Sequence, residues 1–226
     1  MSYNPHDVTE RFEWAVAEYT GATYAVATTS CTMGLFLALQ FMRHKRVLPS
    51  VIDCPRYTYI GVAQSIVHAG CYIRWTDEEW QDNGFYRLKP TPVIDTARLF
   101  TRMMFAYRMR NIDKVTEIMA VTSHHWSKTL GLQQGGCILT DSEEAYDWLI
   151  RARFDGRTPG VSPTADDPII GWHAYMSPET AALGLMRLSF LDDNNAPLPE
   201  PNYADLSTYR CFERYTFNDK VIGISA

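Results

Sequence analysis

The chain has 226 residues, of which 46% are hydrophobic and 21% are charged, and its formal net charge is −5. This ordinary globular balance allows one large domain or two small ones, and the negative charge argues against a general binder of polyanions. No apolar run is long enough to span a bilayer, and the first residues lack the basic start and apolar core of a signal peptide.

The cysteines form no CxxC pair and their number, five, is odd. This usage favours reduced, mostly buried thiols in a cytoplasmic protein. The two neighbouring histidines, His124 and His125, have no third ligand nearby in the sequence, so no metal site is expected. The cysteines are Cys31, Cys54, Cys71, Cys137 and Cys211.

Apolar residues in the first hundred positions alternate between helical and strand-like spacing. The pattern predicts helices at 7–19, 33–42 and 60–68, and strands at 24–27, 51–54, 71–75 and 92–95. Alternating strands and helices of this size predict an α/β fold, with three layers in α/β/α order and a mostly parallel sheet.

The second half continues this pattern less regularly. A helix is predicted over the basic segment 98–110, followed by strands at 118–121 and 137–140. Asp141 and Glu144 have capping-box spacing for a helix that ends near Phe154, and Ser177-Pro178 is typical of another helix start. We therefore expect residues 1–192 to form an α/β domain, and 193–226 to form a tail that packs on it or on a partner subunit.

Lys128 lies in the loop between the predicted strands at 118–121 and 137–140. A lysine is rarely placed between core strands without a partner, because burial of an unpaired ammonium group is costly. Formation of a Schiff base with a carbonyl cofactor is a leading reason for such a lysine. A solvated loop lysine is the alternative, and the loop by itself does not decide between the two.

Asp95 ends the predicted strand at 92–95. In open α/β sheets the ligand crevice lies at the carboxyl ends of the strands, so this carboxylate is a candidate site residue. An aspartate that caps a helix or a turn is the alternative interpretation.

Several short motifs, in this order, resemble those of the DegT/DnrJ/StrS aminotransferases, which are pyridoxal phosphate enzymes of fold type I. The resemblance covers about Phe12 to Leu191 and is carried by Glu18-Tyr19-Thr20-Gly21 with Tyr24-Ala25-Val26-Ala27, by Thr29-Ser30-Cys31-Thr32, by Tyr57-Thr58-Tyr59, by Ile94-Asp95-Thr96-Ala97, by Ser123-His124-His125-Trp126-Ser127-Lys128, and by Gly171-Trp172-His173-Ala174-Tyr175-Met176-Ser177.

This resemblance implies a pyridoxal 5'-phosphate cofactor, which acts as an electron sink. Lys128 would form the Schiff base and later move the Cα proton of the substrate. Asp95 would keep the pyridine nitrogen protonated through a charge-assisted hydrogen bond. These two residues are the predicted catalytic groups.

The resemblance also assigns the groups around the cofactor. Thr32 and the backbone near Ser30 and Cys31 would hold the phosphate at a helix N-terminus, and Ser123 would add a hydroxyl. Plain helix-cap and loop roles are the alternatives for these residues. Tyr59 would stack on the cofactor ring, where the alternative is an ordinary core aromatic.

His173 takes the place of a family asparagine that reaches the phosphate of the neighbouring subunit. If this role is kept, the protein is a homodimer with shared sites. An ordinary interface or core histidine is the alternative.

Departures from the family pattern concern both the site and the length. Arg98 replaces the glutamine or histidine expected beside the phenolic oxygen of the cofactor, where it would raise the electron demand of the ring or receive an acidic substrate group. Cys31 replaces a glycine of the phosphate turn and so needs a backbone angle that a side chain tolerates. A family strand and helix are missing before Pro92, and the C-terminal small domain is reduced to the tail.

Three functional interpretations follow. The first is transamination of a small amino or carbonyl substrate, including sugar nucleotides. The second is decarboxylation or another Cα reaction on an amino-acid adduct of a nucleotide or of DNA, which the arginines of segment 98–110 favour weakly. The third is a relative that binds the cofactor or a partner protein without turnover.

Overall fold

The computed structural model describes residues 4, 6–78, 80, 83–110, 112–199 and 201–218. Its helices are α1 (Asp7–Thr20), α2 (Cys31–His44), α3 (Ile60–His68), α4 (Glu143–Ala152) and α5 (Pro178–Leu188). Its strands are β1 (Tyr24–Thr28), β2 (Val51–Pro55), β3 (Tyr72–Thr76), β4 (Tyr86–Arg87), β5 (Val93–Asp95), β6 (Met119–Ser123) and β7 (Gly136–Thr140). The predicted α/β fold class is confirmed.

Five strands form one sheet in the order β1-β7-β6-β5-β4, and β2 pairs with β3 in a separate parallel pair. Only the β5–β6 pairing of the larger sheet is parallel, because β7 runs antiparallel to both β1 and β6, and β4 runs antiparallel to β5. The sheet is therefore mixed, and the expected predominance of parallel pairing is wrong. The chain passes from β6 to β7 through the lysine loop without a crossover helix, and such a return produces antiparallel strands.

The region before β5 is short, as the sequence suggested. The two-residue strand β4 places Tyr86 opposite Asp95, and the Asp53 N–H donates to the Lys89 carbonyl (2.7 Å). This hydrogen bond joins β2 to the segment that follows β4 of the larger sheet. The sequence lacks the strand and helix that the family has in this region. The described residues between β3 and β5 form the two-residue strand β4 in their place.

Two predicted helices differ in detail from the observed ones. Helix α4 is capped by Ser142, whose Oγ accepts from the Ala145 N–H (3.2 Å). Asp141 instead accepts from the Thr23 N–H (2.8 Å) and from Arg110 Nε (2.6 Å), so the expected capping box is wrong.

The segment 98–110 is helical only at its end, in a π-helical turn over Phe105–Met109. Upstream of this turn, backbone N–H groups bind other parts of the chain: Arg102 donates to Asp193 (3.0 Å) and Met103 to Tyr19 (2.8 Å). Met103 has a positive φ of 58°, which interrupts any regular helix. The prediction of a helix over the whole segment is wrong because these tertiary contacts replace local ones.

The chain after α5 contacts earlier parts of the chain at several points. Leu198 accepts from Arg98, the Leu206 N–H donates to the Arg56 carbonyl (3.0 Å), and Thr216 accepts from the Trp75 indole N–H (3.0 Å). Residues 219–226 of the predicted tail lie outside the described residues. Among the described helices, none is both long enough and apolar enough to cross a membrane.

Candidate functional site

A cavity of about 260 Å³ opens where the carboxyl ends of β5 and β6 face the N-termini of α2 and α3. The structure brings most of the predicted site residues together around it, whereas Arg98 and His173 do not line it. The predicted residues that line it are Ser30, Cys31, Thr32, Tyr59, Asp95, Ser123 and Lys128.

Asp95 is the last residue of β5, and its side chain is only 1% exposed. Its Oδ1 accepts from the Ala97 N–H (2.8 Å) and its Oδ2 from the Tyr86 hydroxyl (3.0 Å). Burial raises the pKa of Asp95 to about 6, against the effect of these hydrogen bonds and of Lys128. Asp95 is thus a turn aspartate through Ala97, and it is also a buried carboxyl on the cavity wall, without an ion pair in the described part of the chain.

Lys128 is half-buried and lies on the same cavity, and its backbone N–H closes a turn with the His125 carbonyl (2.8 Å). Burial lowers the pKa of Lys128, and the charge of Arg98 lowers it further, against Asp95 and Cys31. Its ammonium group has no hydrogen-bond acceptor within the described ranges. A lowered pKa increases the fraction of neutral amine, which is the nucleophilic form of a lysine.

The N-terminus of α2 offers an anion site at one end of the cavity. The Ser30 Oγ caps the helix by accepting from the Met33 N–H (3.1 Å), and Cys31 and Thr32 begin the first turn. Cys31 has helical rather than left-handed geometry, which explains how a cysteine is accommodated at this position. Free N–H groups and the helix dipole favour a negatively charged ligand here.

Tyr59 and Ser123 complete the walls predicted from the motifs. Ser123 ends β6 and is 9% exposed, whereas Tyr59 precedes α3 and is 56% exposed, which excludes a core role for its ring. A Cβ on Gly61 would lie 2.4 Å from Thr32 Oγ1 and 2.8 Å from Tyr59 Cε1. The glycine therefore allows the phenol ring and the threonine hydroxyl to approach each other.

Arg98 is 6% exposed and lies beside the cavity rather than on its lining. Its Nε and Nη2 donate to the Leu198 carbonyl of the tail (2.9 and 2.5 Å), and its guanidinium stacks on the Trp80 ring, 5.3 Å from the ring centre. Its buried Nη1 has no hydrogen-bond partner among the described residues.

His173 lies outside the cavity. Its side chain is 71% exposed and its Nδ1 is 3.0 Å from Asp155 Oδ2, so within a single chain it is not a core histidine. Its predicted contact requires a second subunit and stays a prediction.

Five lining residues with polar or aromatic side chains were not predicted from the sequence. His125, Ser127 and Gln134 belong to the lysine loop, and their nearness to Lys128 was an available signal. Trp80 comes from an acidic loop and Tyr203 from the weakly patterned tail, where no periodicity pointed to a site. Burial raises the pKa of Tyr203 to about 12, and the negative charge of Asp95 adds to the rise.

These residues fit pyridoxal phosphate. A buried carboxyl without a cation suits a protonated pyridine nitrogen, an unpaired lysine suits a carbonyl carbon, and a helix N-terminus with serine and threonine hydroxyls suits a phosphate. All three lie on one cavity.

Comparison with known proteins shows which family the chain resembles. Residues 3–82 match the model of the DegT/DnrJ/EryC1/StrS aminotransferase family. The spore coat polysaccharide biosynthesis protein SpsC of Bacillus subtilis is 27% identical in an alignment that covers 81% of this chain. The resemblance inferred from the motifs is confirmed.

Solved structures show the same fold. A sugar aminotransferase from Micromonospora echinospora superposes with a TM-score of 0.62 at 20% identity, over 80% of this chain and 60% of its own. The NtdA protein of Bacillus subtilis, with the cofactor PMP bound, gives 0.63 at 18% identity, over 84% of this chain and 49% of its own. The chain spans 57% of the length of SpsC.

Proposed function

We propose that this chain, which resembles the DegT/DnrJ/EryC1/StrS aminotransferases over part of their length, belongs to a pyridoxal phosphate-dependent enzyme that binds its cofactor through a Schiff base at Lys128. The observation that carries the proposal is a cavity on which a lysine, a buried carboxyl and the N-terminus of α2 meet. Neither the lysine nor the carboxyl forms an ion pair among the described residues. Each of these groups is costly or unsatisfied alone, and one ligand satisfies all three.

Asp95 and Lys128 do the chemical work in this proposal. Pyridoxal phosphate, when bound, supplies an electron sink for reactions at the substrate Cα. Asp95, ionised and held by Ala97 and Tyr86, would keep a proton on the pyridine nitrogen. Lys128 Nζ would first hold the cofactor and, once a substrate amine has displaced it, accept and return the Cα proton.

The remaining walls orient the cofactor. Ser30, Cys31 and Thr32 would bind the phosphate through the N-terminus of α2, with the Ser123 hydroxyl beside them. Tyr59, whose ring is 56% exposed and comes close to the backbone at Gly61, would stack on the ring of the cofactor. A contact from His173 of a second copy belongs to the same proposal and requires a homodimer.

For the reaction, we propose transamination of a small carbonyl compound by an amino-acid donor. SpsC is named for polysaccharide synthesis and the Micromonospora protein is a sugar aminotransferase, which supports a sugar-linked carbonyl as the acceptor. The cytoplasm, predicted from cysteine usage, would supply such substrates.

The cofactor proposal is tested by spectroscopy. Wild-type protein mixed with pyridoxal phosphate should develop the visible absorbance band of a lysine-bound cofactor, and Lys128→Ala should abolish it. Borohydride reduction should then add the cofactor mass to the peptide that contains Lys128. Lys45→Ala is the matched control, because Lys45 forms an ion pair with Glu144 and does not line the cavity. Equal spectra for wild type and Lys128→Ala would refute the proposal.

The reaction is tested by product analysis of the loaded enzyme. An amino-acid donor should convert the cofactor to pyridoxamine phosphate and release the matching keto acid. Release of carbon dioxide in place of a keto acid would refute transamination and indicate decarboxylation.

A further inference from the structure

Two buried hydrogen-bond donors, one on the cavity wall and one directly behind it, have no partner among the described residues. Trp80 is 1% exposed and lines the cavity, and Arg98 is 6% exposed and stacks on its ring. Trp80 Nε1 and Arg98 Nη1 both lack an acceptor among the residues that the structure describes. Buried donors are nearly always satisfied in folded proteins, so an unsatisfied pair suggests a ligand.

The Arg98 guanidinium is fixed in place. Nε and Nη2 both donate to the Leu198 carbonyl, and Cζ lies over the Trp80 ring, 5.3 Å from the ring centre. Nη1 is the nitrogen that has no partner among the described residues. The guanidinium group of arginine is a permanent cation. Among the described residues, the hydrogen bonds of Arg98 go to a carbonyl and not to a carboxylate. A buried cation without a counter-ion favours binding of an anion.

The charge of Arg98 reaches the cavity. It lowers the pKa of Lys128 and opposes the rise in the pKa of Tyr203, and both of these side chains line the cavity. Because Arg98 lies over a ring that lines the cavity, an anion bound to Arg98 would lie beside that ring, and the N-terminus of α2 is a separate anion site on the same cavity.

We propose that Trp80 Nε1 and Arg98 Nη1 bind the carboxylate of the amino-acid substrate. A carboxylate has two oxygens, one for each donor, and a hydrogen bond to an ionised group is stronger than one between neutral groups. The subsite rests on the proposed function for the class of its ligand. It assigns substrate recognition to the acidic loop and, through Leu198, to the tail.

The test uses glutarate, a dicarboxylate without an amine, titrated calorimetrically into protein loaded with pyridoxal phosphate. Trp80→Phe keeps the ring and removes the N–H, so glutarate should bind about tenfold more weakly. The matched control is Trp75→Phe, which removes an indole N–H that donates to Thr216 and does not line the cavity. Wild-type affinity in Trp80→Phe, or equal losses in both variants, would overturn the proposal.

Arg98→Met provides the second arm, with Arg102→Met as control because Arg102 binds the exposed Asp193. Arg98→Met should weaken glutarate binding at least as much as Trp80→Phe does. Glutaramide, the neutral diamide, should bind Arg98→Met and Trp80→Phe as well as it binds the wild type. A shift in the pH titration of the cofactor band of Arg98→Met, without a loss of glutarate affinity, would place Arg98 against the cofactor and overturn the subsite.

Failure of the proposed function would look different. If wild-type protein develops no cofactor absorbance band, the proposed function is contradicted. The difference in glutarate affinity between wild type and Trp80→Phe would still show whether the two donors bind a carboxylate.

Discussion

The molecule buries two carboxyl groups in contrasting surroundings. Glu13, on α1, is 3% exposed and accepts from the Ala27 N–H (2.6 Å) and from both Arg153 Nη1 and Nη2. Asp95, on β5, is 1% exposed and accepts from a backbone N–H and a phenol, and it has no ion pair within the described ranges. Glu13 is thus compensated by a counter-charge inside the protein, while Asp95 has no ion-pair partner among the described residues.

The difference separates a structural acid from a functional one. Burial raises the pKa of both carboxyls, and for Glu13 the charge and hydrogen bonds of Arg153 oppose the rise. Arg153 also donates to the Ala27 carbonyl, so this ion pair joins α1, β1 and the end of α4. Asp95 faces a cavity, where the missing cation can come from a ligand.

Replacement of Arg153, the counter-charge of Glu13, should have the largest effect on stability. Arg153→Met leaves Glu13 buried without a counter-charge, and breaking a buried pair in this way costs about 3–5 kcal/mol. Urea unfolding followed by circular dichroism should show this loss in the free energy of unfolding.

The control is Arg157→Met, since Arg157 is half-exposed and its nitrogen is 3.9 Å from Asp155. That variant should change stability by less than about 0.5 kcal/mol. Similar losses in both variants would show that Glu13 does not depend on Arg153.

Substitution of Asp95, by contrast, should increase the free energy of unfolding at neutral and higher pH. Asp95 has a pKa of about 6 in the folded protein, above its ordinary value of 3.8, so folding favours the protonated form. The stability from this group is fully present below the ordinary pKa and is lost as the pH rises through about 6. The shift corresponds to at most about 3 kcal/mol.

Asp95→Asn removes the charge, so the cofactor-free variant should lack this fall in stability. Its free energy of unfolding, relative to wild type, should therefore increase by up to about 3 kcal/mol between about pH 4 and about pH 8. Unfolding in urea across that range provides the measurement. A constant difference between the two proteins would mean that Asp95 titrates normally.

The contrast between the two acids was only half visible in the sequence. Asp95 could be predicted because a carboxylate at the end of an apolar strand is a local pattern with a known position in α/β sheets. The Glu13–Arg153 pair joins residues 140 positions apart. Helical spacing predicts that Glu13 belongs to a helix, and it does not reveal that this face meets an arginine.

Local periodicity also explains which cavity-lining residues could be predicted from the sequence and which could not. Lys128 and Thr32 follow strands whose apolar runs locate them, whereas Trp80 and Tyr203 come from segments without periodicity. The segment 98–110 was misjudged because its basic and apolar residues suit a helix, while its backbone is bound by Tyr19 and Asp193. Contacts between distant segments override local propensity there.

Tyr86→Phe should produce the smallest effect and the sharpest test of how Asp95 is held. The Tyr86 hydroxyl donates to Asp95 Oδ2 and lies 2.8 Å from Thr58 Oγ1. Its hydrogen bond favours the ionised carboxyl and so lowers the pKa of Asp95, which means that its loss matters more at high pH. The free energy of unfolding of the cofactor-free protein should fall by about 1–2 kcal/mol near pH 8 and by less near pH 5.

In the Asp95→Asn background, the loss caused by Tyr86→Phe should be the same at both pH values, because residue 95 then carries no charge at either pH. Tyr107→Phe, at an exposed ring, controls for the substitution itself. A pH-dependent loss that persists without the Asp95 carboxylate would assign the effect of Tyr86 to another group.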